Sequence, residues 1–208
     1  MSPESRLELL IATFNAGKVK EIESELSGLP VRFRYLPEFP AITQPIEDGN
    51  SYAENARIKA ISYAKQTRIA SLADDSGLEV RALNGEPGVL SARYAGSGAT
   101  DRQRIEKLLA ALKGKDDRAA RFVCDLALAE FASRANEPTI SVVTTGVCRG
   151  TILPEPRGSN GFGFDPIFVP DEYKQTFAEL PAQTKNKISH RAQALQAMRV
   201  ELERRLKR

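Results

Sequence analysis

The sequence predicts an α/β fold with a mixed β-sheet. Apolar runs of strand length alternate with helical patterns through the first half of the chain. Two long β-rich segments, Ala120 to Phe131 and Ile140 to Leu153, then follow one another across Asn136-Glu-Pro138, as the arms of an antiparallel hairpin do. Helix-linked strands followed by a hairpin make a sheet with both parallel and antiparallel neighbours. With 208 residues, 41% hydrophobic and 27% charged, the chain has the balance of an ordinary soluble globular protein. That length suits one domain, or one domain with two lobes, and supplies a core without disulfides or a structural metal.

Taken in order, Leu7-Glu-Leu-Leu-Ile-Ala-Thr13 reads as the first strand, Phe14-Asn-Ala-Gly17 as a turn, and Lys18 through Ile22 to Leu26 as a helix. Val31 to Leu36 alternates as a second strand, and Pro37 to Gly49, with three prolines, reads as loop. Ser51-Tyr-Ala-Glu54 has the form of a capping box. The helix after it carries Ala53, Ala56, Ala60 and Ala64 on one face, small enough for close packing. Ile69 to Ala73 is a short apolar run that stops at Asp74-Asp-Ser-Gly77, and Leu78 to Leu83 resumes as strand. Thr100-Asp-Arg-Gln103 is a second capping box, ahead of Ile105, Leu108, Leu109 and Leu112 at helical spacing. Pro166 to Pro170 is a short strand, and Ser189 caps a last helix bearing Leu195, Met198, Leu202 and Leu206.

A formal charge of +3 is too small to imply binding to nucleic acid or a membrane. Much of it lies in Glu201-Leu-Glu-Arg-Arg-Leu-Lys-Arg208, a solvated helix end with cations at the negative pole of its dipole. An RNA-binding tail would interleave aromatics there. Met1 to Glu8 is polar and Leu9 to Ala12 is too short for the apolar centre of a signal peptide. No apolar run approaches transmembrane length. The two cysteines, Cys124 and Cys148, lack metal-ligand spacing and read as reduced, half-buried core thiols of an intracellular protein.

Polar segments at the ends of predicted elements carry the chemistry. Thr13-Phe-Asn-Ala-Gly-Lys18 is a strand-to-helix turn whose backbone N–H groups and Lys18 favour an anion, although a lysine near such a turn also serves solubility. It is not a Walker A loop, because the first glycine is missing and Val19 replaces the hydroxyl residue. Glu47 and Asp48 precede a helix, where they either complement its positive end or ligate a hard divalent cation. Glu54 has a competing task in the capping box and ranks below Glu47 as a ligand. Asp74-Asp-Ser-Gly77 reads either as turn chemistry or, at the exit of a buried strand, as a Mg2+ site shared with Glu47.

Further along, Arg93 and Tyr94 in Pro87-Gly-Val-Leu-Ser-Ala-Arg-Tyr-Ala-Gly96 read equally well as salt-bridge and core residues. In Gly158-Ser-Asn-Gly-Phe-Gly-Phe-Asp-Pro166, glycines around two phenylalanines let the backbone approach a ligand while the rings form an apolar wall, or make an ordinary glycine loop. Lys185-Asn-Lys-Ile-Ser-His-Arg191 puts His190 and Arg191 on the first turn of the last helix, where cations are unfavourable unless an anion offsets them.

Together and in this order, Thr13-Phe-Asn-Ala-Gly-Lys18, Ala73-Asp-Asp-Ser-Gly-Leu78, Ser91-Ala-Arg-Tyr-Ala-Gly96, Gly161-Phe-Gly-Phe-Asp-Pro166 and Ser189-His-Arg191 resemble the signatures of the inosine triphosphate pyrophosphatase family. The resemblance spans nearly the whole chain. It implies an α/β fold in which a long, mixed, twisted sheet is flanked by helices, with residues 1–208 forming a single domain of two lobes around a central cleft. It also implies a cytoplasmic homodimer, dependent on Mg2+, that hydrolyses ITP, dITP and XTP to monophosphate and pyrophosphate.

Carried over by residue, the resemblance makes Asp75 the catalytic acid group and, with Glu47, a metal ligand. It makes Thr13, Phe14, Asn15, Ala16, Gly17 and Lys18 the triphosphate segment. Ser76, Phe162, Gly163, Phe164, Asp165, Lys185, His190 and Arg191 become the remaining substrate contacts. Two departures stand out: phenylalanine at Phe164, where the family commonly has tyrosine, and Leu90 in place of a common aromatic.

On this reading Asp75 orients or deprotonates a water for in-line attack on the α-phosphorus, and Lys18 and Lys185 offset charge on the leaving pyrophosphate. A 6-keto purine satisfies donors from Arg191 or the backbone that the 6-amino group of adenine would leave unpaired. Two alternatives remain at the level of sequence. One is a house-cleaning pyrophosphatase for other modified nucleotides, and the other a non-catalytic nucleotide- or RNA-binding module.

Overall fold

The computed structural model describes residues 7–132 and 135–207. The polar opening as far as residue 6, and Arg208 of the basic tail, lie outside the described residues. In chain order the elements are β1 (Leu7–Ile11), α1 (Ala16–Glu25), β2 (Val31–Tyr35), α2 (Tyr52–Thr67), β3 (Ala70–Val80) and α3 (Asp101–Ala111). Then come β4 (Ala119–Phe131), β5 (Pro138–Ile152), β6 (Phe168–Pro170), α4 (Ala182–Ile188) and α5 (His190–Leu206). The strands form one six-stranded sheet in the order β2-β1-β3-β4-β5-β6. β1 pairs in parallel with β2 on one side and β3 on the other, while β5 and β6 are antiparallel. The mixed α/β fold read from the sequence is borne out.

The β4 and β5 arms also run in opposite directions. Ser141 donates to the Leu128 carbonyl, Thr145 bonds to Asp125, and the N–H of Ile152 donates to the Arg118 carbonyl, so the partner number falls as β5 advances.

Strand order positions the first group of functional residues. The crossover through α1 moves the chain from β1 to β2, and the crossover through α2 brings it back past β1 to β3. Right-handed crossovers in opposite directions place α1 and α2 on opposite faces of the sheet. The reversal lies between β1 and β3, and the crevice beyond the carboxyl ends of such strands is where open α/β sheets bind ligands.

The chain divides into two compact units. The first holds the residues as far as Asp75, with Asp125–Thr145 and those from Ala194; the second holds Ser76–Cys124 and Gly146–Gln193. In the first unit most of the α2 alanine face forms as the sequence predicts: Ala56, Ala60 and Ala64 are fully buried against Leu10, Ala73 and Ala127, while Ala53 is half-buried. In the second, Leu78, Ile105, Leu108, Phe122, Phe168 and Phe177 make a core in which the rings of Phe122 and Phe168 meet edge to face at 4.7 Å. Both cysteines are buried outright rather than half-buried, and burial beside Asp171 pushes the Cys148 thiol up to about 12.

Two local readings are corrected, and one helix had no counterpart in the sequence pattern. Asp74-Asp-Ser-Gly77 is not a turn, because β3 runs unbroken from Ala70 to Val80. Asp and Gly weaken a strand only where nothing rewards the pleat, and here each carboxylate has a cation waiting for it. Glu54 does not close a capping box with Ser51. The Ser51 hydroxyl accepts from the Glu54 N–H, but the Glu54 carboxylate accepts from Asn50, one residue further back. Residues 182–188 are helical, forming α4, a short element whose polar sequence has no apolar period to reveal it.

Candidate active site

The adjacent aspartates have different neighbours because successive side chains in a strand point to opposite faces. Asp74 is 1% exposed and pairs with Lys18 of α1 at 2.8 Å. Asp75, 8% exposed, accepts from Asn55 Nδ2 at 3.1 Å and lies 3.5 Å from Lys59 Nζ, both on α2. Ala73, on the Asp75 face, belongs to the α2 core, as the alternation requires.

Glu47 reaches the same place from the loop before α2. Its Oε2 is 2.8 Å from Lys59 Nζ, so one ammonium is shared between Glu47 and Asp75. Asn55 fixes both sides of this arrangement, since its amide nitrogen holds Asp75 while its oxygen accepts from the Gly49 N–H at 2.9 Å. A Cβ on Gly49 would lie 2.8 Å from that oxygen, so only glycine lets the loop pack this closely. Asp48, by contrast, is exposed.

Electrostatics follow from the burial. Burial raises the Asp75 carboxyl above its ordinary range, against Lys59, Lys18 and the Asn55 hydrogen bond, and with help from Glu47. For Lys59 burial is again the largest influence and lowers it, but Asp75, Asp74 and Glu47 together outweigh burial and leave its ammonium raised. Burial is what raises Asp75, whereas the surrounding carboxylates are what raise Lys59.

The turn before α1 is used differently from the sequence expectation. Asn15 caps the helix, and its Oδ1 accepts from the N–H groups of Gly17 at 2.9 Å and Lys18 at 3.2 Å. Those N–H groups are therefore committed within the chain. Side-chain groups at the turn that can meet an anion are the Lys18 ammonium, here paired with Asp74, the Asn15 amide nitrogen and the half-buried Thr13 hydroxyl, which accepts from the Asn15 N–H. Phe14 is 50% exposed, Ala16 is exposed and Gly17 is half-buried.

The second unit gathers another group. Asp165, 3% exposed, accepts from the N–H of Phe162 at 2.9 Å and pairs with Lys185 of α4 at 2.6 Å. Lys185 Nζ also lies 4.8 Å from the centre of the half-buried Phe162 ring, and the Arg191 guanidinium 5.6 Å from it. Arg191, 2% exposed, donates to the Ser76 hydroxyl at 2.9 Å. His190 stacks on Phe122 at 4.6 Å with rings 10° apart. Phe164 is part of the core at 3% exposure, so its ring packs inward and is not a face on which a base stacks. The missing tyrosine hydroxyl is accordingly a matter of core packing.

The comparisons with known proteins now bear on these groups. A model of the Ham1 family matches residues 9–201. The chain belongs to the Ham1 family. A dITP/XTP pyrophosphatase of Desulfotalea psychrophila is 48% identical over 193 residues, covering 93% of this chain and 84% of that protein. Another, of Coxiella burnetii, is 47% identical over 194 residues, covering 92% of this chain and 94% of its own. Among solved structures, a HAM1 protein from Coxiella burnetii matches with a TM-score of 0.85 at 45% identity, covering 95% of this chain and 99% of that one. The Ham1 protein of Staphylococcus aureus matches at 0.83 and 37% identity, with the same coverages. The resemblance read from the colinear segments is borne out.

Two residues central to the first group, Asn55 and Lys59, escaped sequence reasoning. They lie four apart on the buried side of α2, beside the alanine stripe. A lysine and an asparagine adjoining a stripe of small core residues was the available signal, since such groups are buried only with partners.

Proposed function

We propose that this member of the Ham1 family hydrolyses non-standard purine nucleoside triphosphates (ITP, dITP and XTP) to the monophosphate and pyrophosphate, with Mg2+. The observation that carries the reading is the sharing of one ammonium by Glu47 and Asp75. Two hard carboxylates already gathered about one cation fit Mg2+, which takes one or two carboxylates and completes its shell with substrate phosphates and water.

When bound by Glu47 and Asp75, Mg2+ would supply charge neutralisation at the phosphates. The remaining work falls to the chain. Asp75, held by Asn55, orients a water and accepts its proton as that water attacks the α-phosphorus in line. Lys18 leaves Asp74 in part to offset the charge on departing pyrophosphate. Lys185, closed into its pair with Asp165, contributes positive potential beside Phe162. The N–H of Phe162 is committed to Asp165 and that of Gly163 to Asp101, and Arg191, which also donates to Ser76, supplies a guanidinium beside the Phe162 ring toward a 6-keto oxygen. Adenine would present an amino donor to that guanidinium, which has no acceptor.

The names of the relatives and the chemistry of the two groups support this reading together. Pyrophosphate release from ITP, XTP, GTP and ATP, with and without Mg2+, tests it. Rapid, Mg2+-dependent release from ITP and XTP is expected, and equal rates on all four would end the specificity claim. Binding without release, weakening steeply with salt, would favour a binding module instead. A cytoplasmic homodimer is part of the same proposal, read out by sedimentation of the purified chain and by cell fractionation. Among the described residues, no helix is long and apolar enough to cross a membrane.

A further inference from the structure

The turn that carries Phe162 is held by two carboxylates of different origin. Asp165 lies within it and accepts from Phe162. Asp101, the first residue of α3, accepts from the Gly163 N–H at 2.7 Å across 62 positions of sequence. Gly163 has a φ of 64°, in the left-handed region, so a bond from outside the turn fixes an N–H direction that most residues would not supply. Arg104 grips the other oxygen of Asp101 and donates to the carbonyls of Ala92 at 2.7 Å and Ala99 at 2.8 Å. One face of α3 thereby ties the turn to the segment around Ser91. The helix start is closed separately by Thr100 and Gln103, so capping does not require Asp101.

We propose that Asp101 is a positioning residue for base recognition. By holding the Gly163 N–H it fixes the 161–164 turn, and with it the Phe162 ring presented to the purine beside Lys185 and Arg191. The proposal rests on the assignment of Phe162 and Arg191 to the purine.

Asp101→Ala and Asp101→Asn in the full chain separate the bond to Gly163 from the other tasks of this carboxylate. Asparagine keeps an acceptor for Gly163 but gives up the negative charge that serves the helix start and Arg104; alanine gives up all three. The Asp101 side chain is 42% exposed, so neither variant threatens folding. In the alanine variant, amide exchange over 161–164 should rise in the nucleotide-free protein, and KM for ITP should rise about 10-fold with kcat held within about two-fold. The asparagine variant should stay close to wild type in both readouts.

Unchanged exchange in the alanine variant overturns the proposal, as does faster exchange with an unchanged KM. Equal impairment of both variants also overturns it, because that pattern belongs to the lost charge at the helix start and beside Arg104. If the wild-type chain releases no pyrophosphate from ITP, the pyrophosphatase reading falls, and exchange alone then decides whether Asp101 orders the turn.

Discussion

The two units use the same ingredients, lysine and aspartate, in different arrangements. Around Lys59 a single ammonium serves Glu47 and Asp75, with Asp74 close enough to raise it further. Around Phe162, Lys185 and Arg191 approach one ring, and Asp165 closes on Lys185. Lysine 59 is stretched between two partners, one of them 3.5 Å away, so its carboxylates keep lone pairs for another cation. Lysine 185 lies 2.6 Å from a carboxylate that is itself nearly inaccessible, and that pair is a fixture. The first arrangement suits a ligand that brings positive charge, and the second suits one that brings an acceptor oxygen.

Removing the carboxylate that both α2 and the metal reading depend on should have the largest effect. Asp75→Asn keeps the size of the side chain and an acceptor oxygen, but loses the charge and the base. Turnover of ITP should fall by about 10³ or more, with the circular dichroism spectrum unchanged. Activity near the wild-type level would remove Asp75 from the chemistry and dissolve the contrast between the units.

A change in the second unit should act on recognition and leave chemistry alone. Arg191→Lys keeps the charge but replaces a planar fork of donors with a compact ammonium. KM for ITP should rise about 10-fold or more, and the preference for ITP over ATP should narrow, with kcat little altered. If instead kcat collapses at constant KM, Arg191 serves the phosphate end and the division between the units is misdrawn.

The contrast also shows how much was legible in the sequence. Helix α3 and its capping box, the α2 alanine face and the strand pair β4 and β5 follow from local pattern, and each formed where the pattern put it. The reading of Asp74 to Gly77 as a turn failed because local propensity cannot register Lys18 and Lys59, which meet the two carboxylates from separate helices. The same blindness hid Lys59 itself. Its partners are 12 and 16 residues away, and only the strand order 2-1-3 brings a loop glutamate and a strand aspartate to one ammonium. Asp101 was visible only as a helix-start residue, since its bond to Gly163 crosses 62 positions.

The smallest expected effect tests the exchangeable character of the first group. Lys59→Met removes the shared ammonium, leaving Asp75 buried with Lys18 as its remaining cation. Burial already raises the Asp75 carboxyl above its ordinary range, and without Lys59 the rise must grow. A carboxyl whose folded value is raised contributes stability that is complete below the ordinary aspartate range and is lost as pH climbs through the folded value. Lys59 itself is raised, so in the wild type it stays charged throughout this window and limits that loss. The metal-free variant should therefore match the wild type in acid and fall behind toward neutral pH. The deficit there should be about 1–3 kcal/mol, or roughly 2–4 °C in Tm per kcal/mol for a chain of this size. Saturating Mg2+ should recover part of it, because a cation between Glu47 and Asp75 again offsets their charge. Thermal melts across that pH range, with and without Mg2+, measure both effects. A deficit that is constant with pH and indifferent to Mg2+ would make Lys59 a packing residue, and the first group would then be as fixed as the second.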